Sequence, residues 1–301
     1  MDESPFRPES VDDPRITGRF CQRISGPAGD CYLLGVVHDH PASINRVMRV
    51  ADAVDPAVLA LELPPAALPL YRVYARDGDS SDSGDSSTSA THTSPATDTD
   101  PDRSTDTPHT THPTYTPPAH GGEMSAAISA TDAELVGIDA PNWSFLRRLV
   151  TRLVADRVSA GTARRLLSSL GGATRDALRC RVAATLTHAT SMTITRGDPI
   201  EYDCDFDDPP EAQAAHERAH VASVQALLGS VQTDDSALAY RDETRERCMI
   251  DRLTEIRAEN DGTVLAIVGI DHLETVATAL SAGETATTGT SDHTDSSTTS
   301  P

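Results

Sequence analysis

The 301-residue chain contains no lysine: its 25 basic residues are all arginine, and they face 46 Asp and Glu for a formal charge of −21. A non-specific nucleic-acid binder needs a basic face that displaces counterions, and an anionic membrane surface recruits the same kind of face. The first is excluded, and the second is disfavoured as a partner. Aromatic residues are scarce at 4%, with one Trp, so any core must be built from aliphatic side chains. The five cysteines (Cys21, Cys31, Cys180, Cys204, Cys248) are odd in number and scattered, without a C-x-x-C pair. That excludes a disulfide framework and a thiolate zinc cluster as organising features. No apolar run reaches the roughly 18 residues of a membrane span, and the acidic start MDESPFRPES is unlike a signal peptide. The expectation is a soluble cytoplasmic protein. The acid excess is mostly Asp, 32 against 14 Glu, and a lysine-free, Asp-rich surface suits a halophilic, archaeal cytosol in which salt screens self-repulsion.

Apolar residues are missing altogether from one internal stretch. Residues 77–120 contain no Leu, Ile, Val, Met, Phe or Trp, so this segment cannot bury enough area to offset its ordering entropy, and a disordered acidic insertion is expected. Its four histidines (His92, His109, His112, His120) are irregularly spaced and read as solvated linker. The tail 281–301 has the same composition and the same expectation. One domain over 15–280, interrupted by the insertion, accounts for the remainder.

What is present is a set of short, continuous apolar runs: Cys31–Val37, Ala57–Leu61, Leu135–Ile138 and Thr263–Val268. Continuous rather than alternating runs are expected of strands covered on both faces. After the first run, Ser43 is a candidate helix cap, with Ile44, Val47, Met48, Ala51 and Val54 as one stripe ended by Asp55-Pro56. Strand, helix, strand makes a βαβ unit. Further helices are expected over about 143–190, interrupted by Gly171-Gly172, then over 210–228 and 242–260. The fold class is therefore α/β, a largely parallel or mixed sheet flanked by helices, with a helical excursion between the third and fourth core strands.

Each run ends at its carboxyl side in a residue able to do chemistry: His38, Glu62, Asp139 and His272. Ligands of open α/β sheets bind outside the carboxyl ends of the strands, so two imidazoles and two carboxylates from distant parts of the chain are expected to converge. Such a set suits a divalent metal that activates water, or a metal-free acid–base pair. For any single one of them the alternative is a turn or capping residue. Both histidines follow a glycine in the form G-x-x-H, Gly35 to His38 and Gly269 to His272.

With these motifs the chain resembles the TraB/PrgY/GumN family and its Tiki-like metalloprotease relatives. The resemblance is carried by YLLGVVHDHPASINRVMRVADAVDPAVLALEL, by GGEMSAAISATDAELVGID, and by RERCMIDRL followed by TVLAIVGIDHL. It implies that His38 and His272 are active-site histidines, and that Glu62, Glu123 and Arg245 belong to the same site, with Asp139 a ligand beside the histidines. It further implies a metal-dependent hydrolase or protease for a peptide or small-molecule substrate, using Mn, Co or Zn, or a non-catalytic binding regulator of the pheromone-shutdown type. Arg245 would stabilise a developing oxyanion and Glu62 would act as general base. Ala140-Pro141 replace the end of the family's D-R-D triplet, Glu246 stands where Asp or Asn is usual, and no Arg closely follows Glu62.

A rival motif is His216-Glu217-Arg218-Ala219-His220, which spells H-E-x-x-H and would make a zinc protease with Glu217 as base. No third ligand follows at a customary spacing, and a solvated helix face is the alternative. The acidic run EYDCDFDDPP lacks the glycine and terminal glutamate of a calcium loop. His40 reads as a partner of His38 or a turn residue before Pro41, and Trp143 as a packing anchor.

Overall fold

The computed structural model describes residues 6–17, 19–26, 29–79, 117–139, 161, 200–230 and 236–288. The four apolar runs are four strands: β2 (Cys31–Val36), β3 (Val58–Leu61), β4 (Glu134–Gly137) and β5 (Val264–Gly269). A fifth, β1 (Cys21–Ile24), precedes them and lies antiparallel on the sheet edge beside β2. The sheet order is β1-β2-β5-β3-β4, and every pairing except β1–β2 is parallel. The last strand thus sits at the centre, with Leu34 opposite Ile267 on one side and Leu61 opposite Ile267 on the other.

Alternate residues of these strands feed two cores. Leu33, Ala60, Ala266 and Val268 pack with Met249, Leu253 and Ile256 of α5 (Ser236–Glu259) and with Leu273, Val276 and Leu280 of α6 (Ile270–Thr288). Leu34, Val36, Leu61 and Ile267 pack on the opposite face with Val47, Val50 and Ala51 of α1 (Pro41–Val54) and Met124 and Ala127 of α3 (Gly122–Ser129). The result is a three-layer α/β arrangement, which is why the central strands read as unbroken apolar runs. Burying each such aliphatic side chain contributes about 1.5–3 kcal/mol, and this is the main force holding the layers together. Gly35 has a steric reason: a Cβ there would lie 2.8 Å from Ile270 and Leu273, so the first turn of α6 could not lie on β2.

Two boundaries differ from the sequence reading. Helix α2 (Leu68–Asp79) continues into the stretch expected to be an insertion, and α6 continues to Thr288, beyond the start of the expected tail. Residues 80–116 and 289–301, and the helices expected over 143–190 apart from residue 161, lie outside the described residues. The cap of α1 also differs. His40 is the N-cap, with Nδ1 accepting from Ala42 N at 3.1 Å and Pro41 in the first turn. Pro41 has no N–H to lose there, so it selects the residue before it as cap. Asp55 ends the helix in a left-handed conformation at φ 44°.

Ser43 serves instead in a buried polar knot that fixes α4 (Pro210–Ser230) against α1. Glu217 of α4 is fully buried and takes two hydrogen bonds from Arg46, at 2.7 and 2.8 Å, and one from Ser43 at 2.5 Å. Burial alone would raise the Glu217 carboxyl, but the hydrogen bonds and charge of Arg46 outweigh it and hold the carboxyl below its usual range. Arg46 also reaches the carbonyls of Gly35 and Arg15, and its guanidinium lies 4.4 Å from the Phe20 ring centroid. Gln213, on the same face of α4, accepts from Arg15 and Asn45.

Because both charges are out of water, removing one leaves the other uncompensated. Glu217→Leu is expected to destabilise the fold by about 3–5 kcal/mol, read from urea unfolding at fixed high salt, whereas Glu211→Gln on the exposed face changes it by less than about 0.5 kcal/mol. A loss below about 1 kcal/mol for Glu217→Leu would show that the pair does not anchor α4.

Candidate functional site

Because β5 lies between β2 and β3, the carboxyl ends of three parallel strands stand side by side. They open on a cavity of about 270 Å³ whose lining includes His38, Glu62, Arg245 and His272. Its remaining wall is largely apolar, with Val36, Val37 and Ile270 on the sheet side and Val221 and Val224 from α4. Four residues expected at the site therefore meet in one cavity, and Glu123 and Asp139 sit immediately behind them.

His38 follows β2 in a tight turn in which Asp39 takes a left-handed conformation at φ 58°. This reversal sends His38 to the cavity and His40 into the protein. His38 Nδ1 lies 2.6 Å from Glu123 Oε1, and Glu123 Oε2 accepts from Asp39 N at 2.9 Å. A carboxylate only accepts, so the proton sits on Nδ1 and Nε2 is the nitrogen left for a ligand. Hydrogen bonding to Glu123, opposed by partial burial, raises the His38 pKa to about 9. Glu123 is thus a positioning residue rather than one that meets a substrate.

His272 repeats the pattern from the other side. Its Nδ1 lies 2.9 Å from Glu246 Oε1, and its Nε2 lies 3.6 Å from Glu62 Oε1. Glu246 is therefore the support of the second histidine. Glu62 accepts from Gly269 N at 2.6 Å and from Arg245 at 2.8 Å, so strand ends β3 and β5 are tied through one carboxylate.

Asp139 takes a different place from the ligand role expected of it. Both its oxygens accept from Arg245, at 2.9 and 2.8 Å. Neither Asp139 nor Glu62 forms, with His38 and His272, a set of three donor atoms within 4.8 Å of one another. Burial lowers the Arg245 pKa, but the hydrogen bonds and charge of Asp139, with the charge of Glu62, more than reverse this. A planar guanidinium can donate to two carboxylates and still keep a nitrogen. Nη1 of Arg245 makes no hydrogen bond among the described residues, and Arg245 lines the cavity.

The H-E-x-x-H motif does not form a zincin site. Glu217, the residue that would activate water, is locked to Arg46 in the interior, and His216 turns to His40, with 3.0 Å between His216 Nδ1 and His40 Nε2. His220 alone lines the cavity. Among the described residues, one group places three donor atoms within 4.8 Å of one another, and it is His40, Cys204 and His216. By proximity this group could hold a metal ion. Its hydrogen bonds favour another state: His40 Nδ1 accepts from Ala42 N, so its proton lies on Nε2 and is donated to His216. A metal-binding imidazole needs the opposite tautomer, with the second nitrogen facing an acceptor. Burial also drops the His40 pKa to about 4, consistent with a neutral ring.

Comparison with known proteins gives no match to a family model, to a curated protein or to a solved structure. Fold and geometry define an α/β protein with a cavity at the strand ends containing carboxylate-backed histidines. Among the described residues no helix is long and apolar enough to cross a membrane.

The His38–Glu123 contact is testable by NMR titration of the metal-free protein. The His38 pKa of about 9 is expected to fall toward the free value of about 6.5 in Glu123→Gln. Since the folded value is raised, the contact stabilises the fold fully below about pH 6.5 and loses that contribution as pH rises through about 9. An unchanged His38 titration in Glu123→Gln would contradict this.

Proposed function

We propose that the chain is a metal-dependent hydrolase of the TraB/PrgY/GumN type that cleaves an amide bond in a peptide-like substrate at the strand-end cavity. The observation that carries this reading is the pairing of two imidazoles in one cavity, each with Nδ1 on a carboxylate and Nε2 left over. That is the orientation in which histidines bind metal, since the carboxylate fixes the tautomer and raises ligand basicity. Nε2 of His38 and of His272, with Glu62, would hold Mn, Co or Zn once drawn closer together, since among the described residues these donors do not all lie within 4.8 Å of one another. When bound, such an ion supplies Lewis-acid polarisation of the scissile carbonyl.

The chain's own groups divide the remaining work. Glu62 Oε1, on the cavity wall, takes a proton from the attacking water, since a carboxylate that accepts two hydrogen bonds keeps further lone pairs. Arg245, pinned by Asp139 and Glu62, offers Nη1 to the oxygen on which charge develops. Val36, Val37, Val221 and Val224 limit water in the cavity and give an uncharged portion of the substrate an apolar surface. Glu123 and Glu246 hold the imidazoles so that little reorientation is needed at reaction.

The test is incubation of protein dialysed in concentrated KCl with Mn²⁺, Co²⁺ or Zn²⁺ against a mixed peptide pool, reading new termini by mass spectrometry. Wild type is expected to generate new termini, and His38→Ala and His272→Ala to lower the rate at least about 100-fold. His216→Ala is expected to remain active. Stoichiometric retention of a peptide without cleavage would instead favour the binding-regulator role, and loss of activity in His216→Ala alone would favour the buried histidine cluster.

A further inference from the structure

One imidazole in the cavity has no part in the roles above. His220 lines the same cavity as His38, Glu62, Arg245 and His272, from the α4 side, yet neither of its ring nitrogens makes a hydrogen bond among the described residues. The other described histidines of this region are engaged: His38 with Glu123, His272 with Glu246, and His40 with His216. An imidazole with both nitrogens open at the edge of a cavity can deliver a proton to a substrate.

Its position is held rather than incidental. His220 lies one helical turn beyond His216 and three residues beyond Glu217, so the buried Arg46–Glu217 pair fixes the rotation of α4 that presents it. Its ring meets Tyr202 edge-on, with centroids 5.3 Å apart, and the Tyr202 hydroxyl donates to the His38 carbonyl at 2.8 Å. One tyrosine therefore touches both the His38 turn and the His220 ring. Val221 and Val224 flank His220 on the same helix and dry the wall around it.

We propose that His220 is a further catalytic residue of this cavity, the acid that protonates the amide nitrogen as it leaves. The inference rests on the hydrolase reading. Water's oxygen bonds to the carbonyl carbon while Glu62 takes one of its protons and the carbonyl π pair moves onto oxygen, to re-form C=O as the C–N bond breaks. The C–N bond then breaks with its electron pair on nitrogen, which takes the proton of His220. The proton held by Glu62 returns to His220, leaving one carboxylic acid and one amine for each amide and water consumed. Arg245 cannot do this work, because its guanidinium stays protonated, and in this reading Nε2 of His38 and of His272 would be occupied in holding the ion.

A proton donor matters for a poor leaving group and hardly at all for a good one, which separates this role from a structural one. The experiment compares wild type and His220→Ala on a peptide that wild type cleaves and on the p-nitrophenyl ester of its acyl half, with Mn²⁺ binding measured by calorimetry. In His220→Ala, kcat on the peptide is expected to fall about 100-fold or more while the ester rate stays within about threefold. Mn²⁺ affinity and thermal unfolding are expected to match wild type. An equal loss on both substrates, no loss on either, or weakened Mn²⁺ binding would overturn the assignment. If wild type cleaves neither substrate, the hydrolase reading falls and this assignment with it. If wild type is active and His220→Ala is unimpaired, only the role of His220 falls.

Discussion

The ion pair between Arg46 and Glu217 joins parts of the chain that share no strand pairing. Both side chains are fully buried, and Arg46 simultaneously binds the Gly35 carbonyl at 2.8 Å, so α1, α4 and the end of β2 meet on a single guanidinium. Apolar contact alone would hold α4 weakly, because its sequence is rich in alanine and its buried face carries Gln213 and Glu217 beside Ala214 and Val221. Direction comes from the charge. A bidentate pair admits one rotation of the helix, and that rotation turns His216 inward to His40 and His220 outward to the cavity.

The second constraint is the parallel ladder, with β5 between β2 and β3. Parallel strands end in the same direction, so His38, Glu62 and His272 emerge within one cavity although they are far apart in sequence. Around them carboxylates outnumber fixed cations: Glu62 and Asp139 share Arg245, while Glu123 and Glu246 sit on His38 and His272. A site of this sign attracts a divalent cation and resists an anionic ligand. Seen in this setting, the acidity of the whole chain is a background, and the chemistry depends on how a few acids are paired.

Much of this architecture is legible in the sequence because the central strands are covered on both faces. Continuous apolar runs such as CYLLGV and VLAIVG have few other uses, and the reactive residues follow directly at their carboxyl ends. Strand β1 is not legible: CQRI has two polar residues and lies on the edge, so its apolar signal is too short. Pro41 carries enough information to place the cap at His40 rather than Ser43, through the missing N–H at the first helical position. The fate of H-E-x-x-H is invisible locally, since helical spacing states which residues share a face and not whether that face meets solvent, an ion or a buried arginine. The same holds for Asp139 and Glu246. Their residue types permit ligand or support, and only the position of Arg245 and His272 shows which group each carboxylate faces.

X-ray absorption spectroscopy of the zinc-loaded protein tests the central claim most directly, because it separates the two candidate ion positions by element. An ion at His38 and His272 predicts only nitrogen and oxygen neighbours near 2.0–2.1 Å, with a spectrum unchanged in Cys204→Ala and altered in His272→Ala. A sulfur neighbour near 2.3 Å that disappears in Cys204→Ala would place the ion among His40, Cys204 and His216 and contradict the account.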